Sequence, residues 1–250
     1  MEILLLYNLI SLTIVTMLLI LCKKVIKNER VKDLVLKIVS VTVVIIHYSS
    51  LYIDFFKNNG QAMIENNMIL PVYPCNIVMW LLLIVAFFKN KNSKVYRILT
   101  EFTFIGGTLC GLIGVLFNIN FLAKPDLADY NIFKGLISHT VMIFGTIYLG
   151  VLGYVKIRVK NTTESIFWGL VTFSVIGFII NVLFYIFEIP GVNAMFMMEP
   201  PFENLPFINF ITIGISGMLL SFIGLNIYER FTLPKEERWL TKFMKKRRIK

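Results

Sequence analysis

Charge is what this chain has least of: of its 250 residues, 16% are Asp, Glu, Lys or Arg, while 57% are hydrophobic. That balance excludes an ordinary soluble domain, whose surface needs roughly a quarter of its residues charged. Cysteine and histidine are scarce too, three and two residues, with neither CxxC nor HExxH spacing. A sequence-local zinc site therefore has no support, and no metal or other cofactor is expected. No Gly-rich phosphate loop ending in Lys-Ser or Lys-Thr occurs, and GISG at Gly214–Gly217 falls short of a Gly-x-Ser-x-Gly nucleophile elbow.

What is present is a series of apolar blocks. A helix needs roughly 20 mostly apolar residues to cross the hydrocarbon, and seven segments qualify: Ile3 to Cys22, Leu34 to Ile53, Leu70 to Phe88, Ile98 to Leu122, Gly135 to Val155, Ile166 to Phe187 and Phe207 to Ile227. The expected fold is all-α, a polytopic membrane helix bundle with about seven transmembrane helices over residues 1–229, multi-pass in the cell membrane. The first block carries Glu2 ahead of it and Lys23 and Lys24 behind, the reverse of a secretory signal, so it reads as a retained helix.

The basic residues are unevenly placed. Of 25 Lys and Arg, 22 fall in the first, third and fifth connections and the tail, leaving Lys57, Lys124 and Lys134 opposite. The positive-inside rule then puts the N-terminus outside and the C-terminus in the cytoplasm. The net charge of +10 implies anionic inner-leaflet lipid as a partner and no nucleic acid. In the tail, residues 230–250, Trp239, Leu240, Phe243 and Met244 recur at helical spacing among basic residues, as in a helix lying in the interface.

Within the spans, Gly106, Gly107, Gly111 and Gly114, then Gly150 with Gly153 and Gly214 with Gly217, mark places where helix backbones are expected to approach closely. Glu101 is read as pairing with Arg97, one turn away, or snorkelling to the inner interface. Depth is more informative. Cys75 lies five residues past Leu70 and His139 five past Lys134, each roughly 7 to 8 Å below the outer surface. His47 precedes Ile53 by six residues, nearly the same layer. Tyr48, Tyr73, Asn76, Asn118, Asn120 and Ser138 accompany them, and polar groups in a membrane are expensive enough to signal function.

A buried cysteine is commonly a small inert hydrophobe, and a histidine near a helix end commonly bonds a neighbouring helix. A Cys–His pair at one depth is also the arrangement that makes a nucleophile, the imidazole taking the thiol proton. By the same depth reckoning Cys22 and Cys110 have no histidine partner. Asn181 and Asn193 are further polar candidates. The stretch Glu188 to Pro206, rich in Pro, Gly and Met, reads as an ordered lid or re-entrant loop.

Several short motifs resemble the YwaF-type bacterial integral membrane proteins, a family related to a eukaryotic polytopic protein described as a cysteine-dependent acyltransferase of ether phospholipids. They are Leu70, Pro71 and Cys75 of LPVYPC, Ser138 and His139 of SHTVMIFGTIYL, and Asn181 followed by Asn193 of NAMFMMEPP. Tyr73 stands where many bacterial members have histidine, and Asn76 where an acidic residue is common. The resemblance implies Cys75 as acyl-accepting nucleophile and His139 as its base, with membrane phospholipids and lysophospholipids as substrates. Asn76, Ser138 or Asn193 would orient the imidazole or stabilise the oxyanion. The competing class is a non-enzymatic membrane protein, a small transporter or a lipid-binding or assembly subunit, which gives the cysteine no task.

Overall fold

A computed structural model describes residues 2–57, 66–118, 121–122, 125–190, 192–200, 206–207 and 209–248. The chain folds into α1 (Glu2–Val25), α2 (Glu29–Lys57), α3 (Asn66–Ile69), α4 (Pro74–Phe87), α5 (Lys94–Leu116), α6 (Tyr130–Val151), α7 (Val159–Ile186), a 3-10 turn (Ala194–Phe196), α8 (Phe210–Thr232) and α9 (Trp239–Arg248). Seven helical stretches are long and apolar enough to cross a membrane, α3 and α4 forming one of them as Asn66–Phe87. No strand occurs among the described residues, and the all-α, seven-span expectation holds.

Local chemistry sets the helix starts. Ser93 Oγ accepts the Tyr96 N–H, Asp129 accepts that of Asn131, and Asn209 accepts those of Ile211 and Thr212; each occupies donors that the first turn leaves unpaired. Tyr73 precedes α4 in extended backbone, and Pro74 opens the helix, where a missing N–H costs nothing.

Helix ends depart from the apolar blocks in both directions: α4 begins at Pro74 and α8 at Phe210, after Leu70 and Phe207. α2 begins at Glu29, α6 at Tyr130 and α7 at Val159, five to seven residues before Leu34, Gly135 and Ile166. Hydropathy marks the part that lipid covers, while backbone hydrogen bonding carries the helix on into polar sequence. The fourth span stops early, at Leu116, because Asn118 turns its side chain onto the Phe121 N–H at 2.9 Å. Two depth estimates change as a result. His139 lies nine residues into α6, about 13 Å from its end rather than 7 to 8. Cys110 lies six residues from the end of α5, not twelve, which brings it into the histidine layer after all.

The bundle is organised around α6, which packs on α5, α2, α1 and α4, with α5 its closest neighbour. Glycines make that closeness. A Cβ on Gly107 would collide with Thr146 and with Val78, one on Gly111 with Ile143, and one on Gly114 with the ring of His139. Other glycines depart from the expectation. Gly106 faces Phe102 of its own helix, Gly153 is a turn residue at φ +87°, and Gly214 and Gly217 have nothing within 4 Å. The last two sit on α8, the peripheral spanning helix, which packs mainly on α7.

At the end of the bundle bearing the basic connections, acidic side chains are tied into ion pairs and helix caps. Glu164 pairs with Lys94 and Arg97, and Asp33 with Lys91. Glu101 is only 2% exposed. Its primary partner is the Ser165 hydroxyl at 2.7 Å, with Arg97 at 3.8 Å, so it pairs only weakly with Arg97 and does not snorkel. Glu229, 3% exposed, accepts the first N–H of α7, from Val159 at 2.8 Å, and that of α9, from Trp239 at 2.7 Å. One carboxylate thus caps two helices.

Candidate functional site

At the opposite end, α4 and α6 face each other across a cavity of about 30 Å³, room for a water or two. Cys75, Asn76, Ser138, His139 and His47 form its polar wall, and Val43, Met79 and Met142 complete it. Residues from three helices, remote in sequence, are brought to one point.

Cys75 is the second residue of α4. Its thiol lies against the backbone N–H groups of Cys75 itself and of Asn76, at the positive end of a helix dipole, where donors already face any negative charge that develops on sulfur. Asn76 is oriented by its neighbour: its Oδ1 accepts the Tyr73 N–H at 3.2 Å. This fixes which amide atom is which, and no acceptor for Nδ2 is found among the described residues.

His139 has its tautomer set in the same way. Its Nδ1 lies 2.7 Å from the carbonyl of Gly135, and a carbonyl can only accept, so Nδ1 carries the proton and Nε2 keeps a lone pair with no partner among the described residues. Ser138 Oγ donates to that same carbonyl at 2.9 Å; its proton is engaged one turn back in its own helix. Gly114 supplies the flat surface on which the imidazole lies. Neither Gly114 nor Gly135 carries a sequence signal for this role, since glycine in an apolar helix reads only as packing.

His47 joins the wall from α2, its Nε2 3.4 Å from the Asn67 carbonyl and its ring edge-on to Tyr48. The other polar candidates stand away from the cavity. Asn118 caps the end of α5, Tyr73 packs its ring near Phe196, and Asn120 lies outside the described residues. Asn181 and Asn193 hold a loop. The Asn181 amide donates to the Ala194 carbonyl and accepts its N–H, while Asn193 accepts from Met198 and Glu199 and donates to the Glu199 carbonyl.

These bonds maintain left-handed backbone at Met195 and Phe196, φ 57° and 56°, a conformation costly for residues with a side chain. Met195 is 1% exposed, beside Gly177, and its N–H donates to Val72 at 2.9 Å. The loop is therefore locked onto the linker that leads into Cys75. Lys134, which hydropathy leaves in a connection, is buried in α6 and donates to Ser50 at 2.9 Å. Among the described residues no three His, Cys, Asp or Glu side chains converge as metal ligands would.

Seven apolar spanning helices with a polar cavity between them define a multi-pass helical membrane protein. The chain belongs to the TMEM164 family, whose profile matches residues 2–226, from α1 into α8. No curated protein and no solved structure shows significant similarity to it.

Proposed function

We propose that this membrane protein is a phospholipid acyltransferase that works through an acyl-thioester on Cys75, with His139 as its base. The observation that carries the reading is the shared cavity: Cys75 and His139 line it together, and the imidazole bonds through Nδ1, with no partner for Nε2 among the described residues.

In the first half-reaction Nε2 takes the Sγ proton as sulfur adds to an ester carbonyl of a glycerophospholipid. Negative charge passes to the carbonyl oxygen, for which this wall offers the Asn76 Nδ2 and the N–H groups at the start of α4. The ester C–O bond then breaks, the lysolipid oxygen takes the proton from the imidazolium, and the acyl group stays on sulfur. In the second half-reaction His139 deprotonates a lysophospholipid hydroxyl, which attacks the thioester, and the thiol is restored. Water in place of that hydroxyl makes the same site a hydrolase. About 30 Å³ accommodates the reacting carbonyl and no fatty chain, so chain and headgroup lie along the lipid-facing surface. The positive-inside count puts the cavity on the side away from cytoplasmic acyl-CoA, which favours a phospholipid donor.

Purified protein incubated with acyl-labelled phospholipid is expected to gain hydroxylamine-labile label on the Cys75 peptide, absent in Cys75→Ser, and to acylate added lysophospholipid. Undiminished lipid turnover in Cys75→Ala would overturn the mechanism in favour of a non-enzymatic role.

A further inference from the structure

Cys110 has no part in that chemistry, yet α5 delivers it to the same layer. Helices α4 and α5 run antiparallel, joined by a short connection, and touch where Val78 meets Gly107: a Cβ on Gly107 would stand 2.6 Å from Val78 Cγ1. Cys75 lies three residues back along α4, and Cys110 three residues forward along α5. In antiparallel helices those two steps point the same way and cover equal lengths, about 4.5 Å each. The thiols therefore arrive at one level, a turn nearer the cavity than the Val78–Gly107 contact. One turn further along α5, Gly114 rests on the His139 ring.

One further observation agrees with that register: the Cys75 and Cys110 sulfurs are within electrostatic range of each other, whereas packing on the main buried cluster is common to all three cysteines. Cys22 lies elsewhere, within electrostatic range of Tyr148. A disulfide needs Cα atoms within about 7 Å, a separation that packed helices reach only where a small residue lets the backbones close in. Gly107 is such a residue.

We propose that Cys75 and Cys110 are an oxidisable thiol pair, closed into a disulfide by a hydroperoxide that reaches this layer. Cys75 sulfur attacks the O–O bond of ROOH, releasing ROH and becoming a sulfenic acid. Cys110 sulfur then displaces its hydroxyl, which leaves as water with the Cys110 proton. The balance is two thiols and one hydroperoxide giving one disulfide, one alcohol and one water, the sulfurs supplying the two electrons. The membrane is itself a source of hydroperoxide, through oxidised acyl chains. On the acyltransferase reading, on which this consequence alone rests, the disulfide withdraws the nucleophile and stops turnover until a dithiol reduces it.

The test uses the full chain in phosphatidylcholine nanodiscs, treated with phosphatidylcholine hydroperoxide or, separately, hydrogen peroxide, then alkylated and digested without reductant. A Cys75–Cys110 cross-linked peptide is expected, reversed by dithiothreitol, with Cys22 still alkylated. Cys110→Ala should keep the wild-type unfolding temperature, lose the cross-link and carry Cys75 on to sulfinic acid. Cross-linking by either peroxide supports the pair, and the two arms identify the oxidant's source. No cross-link with either peroxide or with diamide, in protein whose Cys75 alkylates freely, overturns it. A cross-link in protein whose reduced Cys75 takes no acyl label keeps the pair and rejects the acyltransferase; acylation without a cross-link does the reverse.

Discussion

Glu229 and Asn76 are both buried polar residues near helix ends, at opposite ends of the bundle. Glu229 accepts two backbone N–H groups, and around it Glu164, Asp33 and Glu101 are engaged by Lys94, Arg97, Lys91 and Ser165. Among the described residues Asn76 uses only its oxygen, on Tyr73, and beside it His139 uses only Nδ1, on Gly135. The difference separates two uses of a buried polar group. Groups that satisfy one another fix helix positions; groups held on one side and free on the other, at a cavity, are ready for a reacting molecule. The basic end also leaves buried atoms without a hydrogen-bond partner among the described residues, Arg97 Nη1 and the Tyr96 hydroxyl; the cavity end differs in that its residues line a space a small molecule can enter.

This contrast can be broken or sharpened by substitution. His139→Gln should cut acyl transfer by about 10²- to 10⁴-fold, the range general-base catalysis supplies, while unfolding in detergent and alkylation of Cys75 stay close to wild type. Equal loss of stability and activity would make His139 a packing residue. Gly114→Ala pushes a methyl into the imidazole and should cost about 10²-fold in turnover through a displacement on the order of 1 Å, with iodoacetamide still labelling Cys75. If rate and thermal stability are unchanged, the ring does not need its present seat.

At the other end the effects should fall on stability alone. Glu229→Ala leaves two helix-terminal N–H groups unpaired and should destabilise by about 1 to 3 kcal/mol, read by thermal unfolding, with thioester formation per folded molecule unaltered. A selective loss of activity in that variant would mean that the two ends are coupled. Lys94→Ala removes a partner that is 67% exposed, and its unfolding temperature should match wild type, because an exposed ion pair in water is screened and contributes little.

How far the site was legible depends on which residue is asked about. Cys75 and His139 share a cavity, as a count of residues from the ends of the apolar blocks places them in one layer, because helical rise is constant. The same count misplaced Cys110, since Asn118 ends α5 early through a side-chain bond that hydropathy does not register. Asn181 and Asn193 stand out in the sequence as polar residues in apolar surroundings, but their hydrogen bonds are to the loop at Ala194 and Glu199. Polarity inside a membrane signals that a residue has a partner, and only the partner's identity says what the residue is for. Gly214 and Gly217 make the same point in reverse: the three-residue spacing that puts Gly111 and Gly114 against α6 leads here to open space.

What the amino-acid order determined by itself is the class: seven apolar runs of spanning length demand helices, since lipid offers the backbone no other hydrogen-bonding partner. It also pointed to a common end of the bundle for Cys75 and His139, although where their helices begin, and so their depth, came from the fold. Tertiary packing alone decided which helix faces meet and so whether a common end becomes contact. Rotation about each helix axis is set by the fit of Gly107, Gly111 and Gly114 against α6, and that fit brings a thiol, an imidazole with a free nitrogen and a second thiol to one side of the bundle.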